Sequence, residues 1–377
     1  MSDVRLTQRG RAGMQFLGQL RGVASAHLRD IARDGFAANP QAQALVAEAV
    51  ADPDAAPRDW VKRVRQAQRV AGQSAAFRFE RFYQNFGGTE IFVRGICAIE
   101  ECRDQIRADD EETIAACPDD GSTLELDPAL VSPDYVDVEW HTQPGGWDGF
   151  DLYGPMFQHC FAPHVFRFGG YAVIEPGQQT RFSRQDPLKL LPPGDYRRVY
   201  EVGCGTGGAL PVARALWPDA ELVGGDQSAT QLRHGYLMSR RQGLGIKFRQ
   251  RLAHETREPD NSVDAAISYA FFHELPREET LKVIAEMFRI LRPGGSLVIV
   301  DPPPYRSVDL FQSVIMDWES LHHGEPFFSI SCASHWAAEM AKIGFSGVQE
   351  HALYRRNKHP FVTIGTKPGA TKPGGAA

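Results

Sequence analysis

The sequence predicts an α/β fold in which a mainly parallel sheet follows an α-helical domain. From about residue 191 onward, short apolar runs of strand length alternate with segments of helical periodicity, a pattern typical of a parallel sheet covered by helices on both faces. Upstream, apolar residues recur at helical spacing over the first hundred residues. The last two predicted strands, "GVQEHAL" and "FVTIGT", are expected to form an antiparallel hairpin.

The N-terminal region, residues 1–115, is predicted to be helical. Met14, Leu17 and Leu20 lie near helical spacing, and "DWVKRVRQAQRVAGQ" repeats the pattern after the break "ADPDAAPRD". Neither segment carries an acid–base cluster of its own. We therefore predict a packing or dimerisation domain here, and a homodimer.

Residues 116–190 form a predicted connector that is rich in aromatic side chains. It opens with Pro, Asp and Gly in "ACPDDGSTLELDPALVSPDYVD", and ten aromatic residues follow between Tyr135 and Tyr171. The glycines of "PGGWDGFDLYGP" argue against one regular element. These aromatics are expected either to fill the seam between two domains or to form a wall that faces a substrate.

The α/β region is predicted to span residues 191–367. A strand near Val199 to Gly203 leads into a helix that ends near Trp217, and the strands "AELVGGD", "IKFRQRL", "VDAAISYA" and "SLVIVD" follow with helices between them. Two more helices precede the final hairpin. Residues 368–377, "PGATKPGGAA", are expected to be a disordered tail.

Composition excludes several classes of partner. Acidic residues outnumber Lys and Arg in this chain of 377 residues, giving a net charge of −6, so no basic field favours nucleic acid. No apolar run is long enough for a signal peptide or a membrane span, which favours a cytoplasmic protein with a small-molecule substrate. The six cysteines form no C-x-x-C pair, and "HCFAPH" lacks useful ligand spacing, so we expect no metal.

The segment "YEVGCGTGG" fits two kinds of cofactor loop. A strand, a glycine turn and a helix N-terminus serve both dinucleotides and S-adenosylmethionine, and both use an acid such as Asp226 for the ribose. Glu201 separates the two, because a dinucleotide fingerprint normally has an apolar residue there. A buried carboxylate needs a partner, which the loop's own amides or a ligand ammonium would supply.

Four motifs in order resemble the class I S-adenosylmethionine-dependent methyltransferases. They are "YEVGCGTG", "LVGGDQS", "DNSVDAAISYAFFHELP" and "RILRPGGSLVIVD", spread over about residues 190–367. The resemblance implies a Rossmann-like methyltransferase sheet and S-adenosylmethionine as cofactor. It places Glu201, Gly203, Gly205 and Gly207 at the methionine end, Asp226 at the ribose, Gln227 beside the adenine, and Ser268 and Tyr269 over the sulfonium.

One departure from that family affects the adenine. Many relatives have Gly-Asp-Ala where this chain has Arg251, Leu252 and Ala253, so the usual carboxylate near the adenine amino group is absent. We expect Ala253 to stay beside the adenine, with His254 or Glu255 replacing the carboxylate.

The motifs leave the acceptor of the methyl group open, and His273 and Glu274 of "FFHELP" are the first candidates for catalysis. They follow the fourth strand, and a His in a similar place is the base of plant-type O-methyltransferases. His273 would then deprotonate a hydroxyl or phenol of a small metabolite. The alternative is that His273 caps the next helix or packs below the pocket.

The aromatic connector favours a different acceptor. "RFERFYQNFGGTEIFVRGICAIEE" and the aromatics after it resemble the bacterial methylthiohydroxybutyrate S-methyltransferases of dimethylsulfoniopropionate synthesis. The resemblance implies S-methylation of a thioether acid such as 4-methylthio-2-hydroxybutyrate, which aromatic faces assist without a base. Trp147, Tyr153 and Phe157 would then form the substrate wall, with Arg181, Arg167 and His141 as candidate carboxylate ligands.

A third hypothesis is a catalytically silent scaffold that binds the cofactor without turnover. The intact Glu201, glycines and Asp226 argue against it.

Overall fold

The strands of the described chain form one sheet. The structure, a computed structural model, describes residues 4–169, 171, 173, 184–354 and 357–369. In chain order the strands are β1 Thr123–Glu125, β2 Arg198–Val202, β3 Glu221–Asp226, β4 Ile246–Gln250, β5 Val263–Tyr269, β6 Leu291–Asp301, β7 Ser346–Ala352 and β8 Phe361–Thr366. Their spatial order is β1-β4-β3-β2-β5-β6-β8-β7, and β8 runs antiparallel to both of its neighbours while the other pairs are parallel. This confirms the predicted α/β fold with its C-terminal antiparallel hairpin.

Helices surround this sheet and also precede it. Those before the connector are α1 Gln8–Ala38, α2 Pro40–Ala51, α3 Pro57–Ala71, α4 Ala75–Glu100 and α5 Arg103–Ala116. Three short helices lie in the connector or just after it, namely α6 Tyr153–Met156, α7 Ala162–His164 and α8 Gln185–Leu188. The others are α9 Leu210–Leu216, α10 Ala229–Gln242, α11 Arg277–Ile290, α12 Leu310–His322, α13 Phe328–Ala333 and α14 Trp336–Ile343. The predicted N-terminal helical region is thus present.

The central strand β5 is apolar because helices cover both of its faces. Residues 265 and 267 pack in a core with α9 and α10, while residue 266 packs on the other side with α11 and α14. Every residue of β5 is buried, as expected for an inner parallel strand.

The strand order reverses between β2 and β5. The chain runs outward from β2 through β3 to β4 and then returns to place β5 on the other side of β2. Open sheets bind ligands at such a point, beyond the carboxyl ends of the strands. The loops that follow β2, at 203–209, and β5, at 270–275, both lie at this edge.

The N-terminal helices pack against the rest of the chain in two places. One apolar cluster joins α1, α2 and α3 with α12 and α13, and another joins α1 and α4 with residues 150–165 of the connector. The predicted domain limits at 115 and 190 stay predictions. Within the described ranges, no helix combines the length and the hydropathy needed to cross a bilayer.

One outer surface of α4 is apolar and exposed. Phe79, Phe82 and Phe86 are each at least 40% exposed, and they recur at helical spacing on one side of the helix. Such a face is compatible with the predicted homodimer, which stays a prediction.

The edge strand β1 was not expected. Thr123 to Glu125 pair in parallel with Lys247 to Arg249 of β4. Three mostly polar residues give no readable alternation, so their pairing depends on the tertiary position of the connector. Of the predicted tail, residues 370–377 lie outside the described residues.

Candidate functional site

The loop after β2 has a backbone that only glycine adopts easily. Gly203, Gly205 and Gly207 all have positive φ, between 52° and 77°. A Cβ on Gly203 would lie 2.3 Å from the Phe271 ring, so this position has no room for a side chain. A Cβ on Gly205 would meet no atom within 4 Å, and its backbone therefore faces open space in which a ligand fits.

Asp226, at the end of β3, holds this loop in place. Its carboxylate accepts hydrogen bonds of 2.8 Å from the backbone N–H groups of Gly205 and Ser228. Burial raises the pKa of this carboxyl, and those two N–H groups lower it in part. Because each carboxylate oxygen has further lone pairs, Asp226 can also accept from the two hydroxyls of a ribose.

Glu201 lies beneath the loop. It is 1% exposed, and both of its carboxylate oxygens lie 3.2 Å from the backbone N of Ala209, which donates to them. Burial raises the pKa of Glu201 to about 7, although Arg184 and backbone N–H groups act in the opposite direction. The backbone amide of Ala209 thus serves as the partner of Glu201. Of the two partners considered from the sequence, a loop amide and a ligand ammonium, this is the loop amide.

Arg184 is a site residue that sequence reasoning missed. Its guanidinium lies over the ring of Tyr269, 4.0 Å from the centroid, and 4.0 Å from Oε1 of Glu201. A Cβ on Gly208 would lie 2.6 Å from its Cζ, so Gly208 is needed for the arginine to approach. The side chain therefore places a positive charge beside the glycine loop, where it can bind an anionic ligand group. "RFSRQDP" contained no signal beyond the basic residues themselves.

A cavity of about 230 Å³, the loop cavity, lies over these residues. The predicted cofactor residues that line it are Gly203, Gly205, Asp226, Gln227, Ala253 and Tyr269. Tyr135, Trp140, Gln231 and Arg251 also line it, although none of them was predicted as a cofactor residue. Open backbone at Gly205 and the acceptor oxygens of Asp226 suit a ribose-bearing cofactor with an aminoacyl end, so the residues fit S-adenosylmethionine.

Four predicted cofactor residues lie outside the lining of this cavity, namely Glu201, described above, and Gly207, Ser268 and His254. Gly207 supports the loop from behind, since its Cβ would lie 2.8 Å from Phe248. Ser268 is 1% exposed, and its Oγ has no hydrogen-bond partner among the described residues. Nδ1 of His254 is in close contact with Oε1 of Glu279 on α11, and His254 is not among the residues that line the loop cavity, where an adenine contact was expected.

A second cavity of about 410 Å³, the aromatic cavity, adjoins the first. Both cavities are lined by Trp147, Tyr153, Phe157, Arg184, Tyr269, Ala270 and Glu274, a set that we call the junction. The aromatic cavity alone is lined by further rings, those of Phe92, Phe161, Phe166, Tyr171 and Phe328. Helices α1 and α4 contribute to its wall, so the N-terminal region takes part in the site.

His141 lies between two carboxylates at the edge of the aromatic cavity. Its Nε2 is 3.1 Å from Oε1 of Glu274, and its Nδ1 is 3.1 Å from Oε1 of Glu325. Burial alone would lower the pKa of His141, but the two carboxylates hold it well above its usual value. His141 is therefore an imidazolium that donates to both acids. Glu325, which follows α12, was not predicted.

His273 lines the aromatic cavity but not the loop cavity. Its Nδ1 lies 2.5 Å from Oδ1 of Asp301, and its Nε2 lies 3.5 Å from Glu274 and 3.8 Å from Glu325. Burial lowers the pKa of His273, but these carboxylates raise it to about 9. His273 is consequently protonated at neutral pH.

Glu274 carries the negative charge at the junction. Burial raises its pKa, yet His141 and His273 outweigh that effect and the net pKa is lowered, so the group is ionised. Its Oε2 is buried and has no hydrogen-bond partner among the described residues. A free carboxylate oxygen thus lies where the two cavities meet.

The residues predicted to bind a substrate carboxylate do not present a free donor to either cavity in the described part of the chain. Arg167 lies over the ring of Phe168, 4.9 Å from the centroid, and lines neither cavity. Arg181 lies outside the described residues. His141 is already bonded to two acids. In the described ranges no three His, Cys, Asp or Glu side chains form a group that could hold a metal ion.

Comparisons with known proteins agree with the loop geometry. The family model described as "Methyltransferase domain" matches residues 199–295. The chain is similar to malonyl-acyl-carrier-protein O-methyltransferase of Brevibacillus brevis, with 27% identity over 210 residues, which cover 54% of this chain and 73% of the relative. It is also similar to trans-aconitate 2-methyltransferase of Azoarcus sp., with 35% identity over 128 residues, covering 34% of this chain and 47% of the relative.

The chain thus spans about half the length of the second relative, and the N-terminal helices lie outside the family match. Among solved structures, it is similar to phosphoethanolamine N-methyltransferase 2 of Haemonchus contortus in complex with S-adenosyl-L-methionine. That likeness has 15% identity and a TM-score of 0.42, and it covers 64% of this chain and 61% of the other.

Proposed function

We propose that this chain, a class I S-adenosylmethionine-dependent methyltransferase, methylates the sulfur of a small thioether carboxylic acid, with 4-methylthio-2-hydroxybutyrate as the first candidate. The enzyme class and the cofactor were predicted from the motifs, and the family match over residues 199–295 confirms both. The acceptor is the part that is proposed. The observation that carries it is the chemistry of the junction between the two cavities.

Methyl transfer requires the acceptor atom to lie at the junction, next to the methyl donor. When bound, S-adenosylmethionine supplies a methyl group from a sulfonium, and the acceptor's lone pair forms the new bond as the old S–C bond breaks. Tyr153 and Tyr269 are neutral there, because burial raises the pKa of both phenols, that of Tyr269 to about 12. Arg184 and Glu274 are the charged members of the junction. Neither is an effective base for a hydroxyl, so the junction suits an acceptor that loses no proton.

The same residues favour a product that carries positive charge. The rings of Trp147, Tyr153 and Phe157 present aromatic surface to the junction, and aromatic faces attract cations. Glu274 adds an ionised carboxylate with a free oxygen. A sulfonium or an ammonium gains from both, whereas a carboxylate acceptor would be repelled by Glu274 and would yield a neutral ester. The positive charge of Arg184 lies on the side of the glycine loop, 4.0 Å from Oε1 of Glu201.

Between sulfur and nitrogen, the junction favours sulfur. An amine beside an ionised carboxylate keeps its proton and loses its nucleophilic lone pair, because an opposite charge stabilises the ammonium. A thioether does not titrate and stays nucleophilic beside Glu274. The free oxygens of Glu274 and Glu325 can in addition accept a hydrogen bond from a hydroxyl on the acceptor.

The O-methyltransferase alternative with His273 as base receives less support. A general base must be neutral and must reach the acceptor atom. His273 is held protonated by Asp301, Glu274 and Glu325, and it lines only the aromatic cavity. The hypothesis of a catalytically silent scaffold also receives no support, because Glu201, the loop glycines and Asp226 are all present.

A substrate panel with two readouts tests the proposal. We expect S-adenosylhomocysteine to be released with thioether acids, foremost 4-methylthio-2-hydroxybutyrate, and with no equivalent phenol, hydroxy acid or amine. Proton release in weak buffer is the second readout, because methylation of a thioether frees no proton while methylation of a hydroxyl or an ammonium frees one. Turnover of phenols with one proton per methyl group, and none of thioethers, would overturn the proposal. Methionine, which replaces the 2-hydroxyl by an ammonium, belongs in the panel as a close variant.

The pH dependence of kcat separates the two mechanisms. His273 faces Asp301, Glu274, Glu325 and His359, and its raised pKa of about 9 keeps it protonated over the neutral range. Without a base, kcat at saturating cofactor and thioether acid should change by less than about threefold between pH 6.5 and 8.5. With His273 as base, kcat would instead rise about tenfold per pH unit below that pKa. A rise of that size, absent in His273→Gln, would contradict the base-free mechanism.

A further inference from the structure

A buried arginine with an unmet hydrogen-bonding capacity lines the aromatic cavity. Arg21 lies on α1 and is 3% exposed. Its Nε donates to no acceptor within the described part of the chain, and its guanidinium contacts the ring of Tyr171, 3.8 Å from Cζ to the centroid. Buried charged groups are normally paired, since leaving one without a partner is costly. The arginine therefore points to an anionic ligand in the cavity that it lines.

The backbone around Arg21 is built to bring it to that wall. A Cβ on Gly18 would lie 2.6 Å from the carbonyl oxygen of His164, and one on Gly22 would lie 2.9 Å from that of Phe168. Glycine on both sides thus lets α1 approach the aromatic connector closely. Further along the same face of α1, Arg29 donates to Glu80 of α4 at 2.8 Å, which ties α1 to α4. The position of Arg21 follows from these contacts.

Glu319, the acid whose pKa Arg21 affects, does not accept a hydrogen bond from Arg21. Glu319 also lines the aromatic cavity, but its Oε2 lies 2.5 Å from Nδ1 of His323, to which it is hydrogen-bonded. Arg21 acts on Glu319 through charge alone. Nε, one donor of the guanidinium fork that can match a carboxylate with two parallel hydrogen bonds, stays available to a ligand.

Arg21 lies away from the junction, because it lines the aromatic cavity and not the loop cavity. Resting on the proposed function, we propose that Arg21 is the anion subsite that binds the carboxylate of the acceptor. The carboxylate binds at Arg21 on α1, and the rest of the molecule extends toward the junction, where the sulfur is methylated. The N-terminal helix thereby selects acids over neutral thioethers and sets the distance from carboxylate to sulfur.

Ligand binding tests this subsite without relying on turnover. The protein is saturated with S-adenosylhomocysteine, and dissociation constants are measured by calorimetry for 4-methylthiobutyrate and for its methyl ester. Arg21→Gln should weaken binding of the acid on the order of 30-fold and leave the ester nearly unchanged. Arg21→Lys, which keeps the charge without the fork, should fall between Arg21→Gln and the wild type. Arg11→Gln, at an exposed position of the same helix, is the matched control and should change neither constant.

The outcomes separate this subsite from the proposed function. If Arg21→Gln leaves the preference for acid over ester as in the wild type, the subsite is wrong even where thioethers are methylated. If no thioether is methylated but acid binding depends on Arg21, the subsite stands and the proposed acceptor falls. Equal weakening of acid and ester, with Arg21→Lys no better than Arg21→Gln, identifies a structural arginine and overturns the inference. Unchanged affinity for S-adenosylhomocysteine in each variant shows that the fold is intact.

Discussion

Replacing Asp226 by asparagine should weaken S-adenosylmethionine binding by about 100-fold, because a hydrogen bond to a charged group contributes about 1.5 to 3 kcal/mol and the neutral amide, with one acceptor oxygen, would cost the ribose at least one such bond. The amide also cannot accept from both Gly205 and Ser228, so the glycine loop itself loses a contact. Isothermal titration with S-adenosylhomocysteine measures the effect directly. At saturating cofactor, kcat should recover in large part, since Asp226 lines the loop cavity but is not part of the junction.

Asp195→Asn provides the matched control. Its side chain is 76% exposed and pairs only with Arg197 among the described residues, so the same chemical change there should leave cofactor affinity unaltered. A dissociation constant for Asp226→Asn within about threefold of the wild type would be incompatible with loss of even one charge-assisted bond. Asp226 would then hold the loop without contacting the ribose.

The residues of the glycine loop and its surroundings could be predicted to lie together because they are local in sequence. Glu201, the glycines and Asp226 lie within 26 residues on two adjacent strands and one turn. Short apolar runs of strand length locate those two strands. The spacing then determines which side chains meet at the carboxyl edge. The order of strands and helices after residue 191 was predicted for the same reason, except that the short helix α13 was not expected.

Within residues 191–367, the residues that the structure places elsewhere than expected differ in the direction of their side chains. Ser268 and Tyr269 were both expected over the cofactor, but successive residues of a strand point to opposite faces. Tyr269 lines both cavities, while alternation places Ser268 on the same face of β5 as Ala266, which packs with α11 and α14. His254 was expected beside the adenine, yet its ring contacts Glu279, from a helix that begins 23 residues later.

The aromatic cavity, which we propose binds the methyl acceptor, is formed by segments that are distant in sequence. Arg21, His141, Glu274 and Glu325 line one cavity but come from four separate parts of the chain. No periodicity or motif in the sequence relates α1 to the loop after α12. Only tertiary packing brings the N-terminal helices to the wall of the aromatic cavity, which is why their role in the site could not be read from their helical pattern.

Replacing Glu274 by glutamine should lower kcat for a thioether acid by about 100-fold, the range found when one preorganised electrostatic group is removed from a site where charge develops. Glu274 lies at the junction with an ionised carboxylate, and the positive charge moves onto the acceptor sulfur during transfer. Glutamine keeps the shape but not the charge. The affinity for S-adenosylhomocysteine, which has no sulfonium, should change by less than about threefold.

Glu278→Gln, four residues away and exposed on α11, is the matched control and should retain full activity. A merely structural Glu274 would lower kcat and cofactor binding together, because His141 would lose one of its two acceptors and the wall would shift. The deciding readout is the affinity for S-adenosylmethionine, which carries a sulfonium, divided by the affinity for S-adenosylhomocysteine, which does not. A purely structural change would weaken binding of both and leave this ratio unchanged. If Glu274→Gln leaves both that ratio and kcat unchanged, stabilisation of an onium product at the junction is wrong, and the preference for sulfur over oxygen loses its main support.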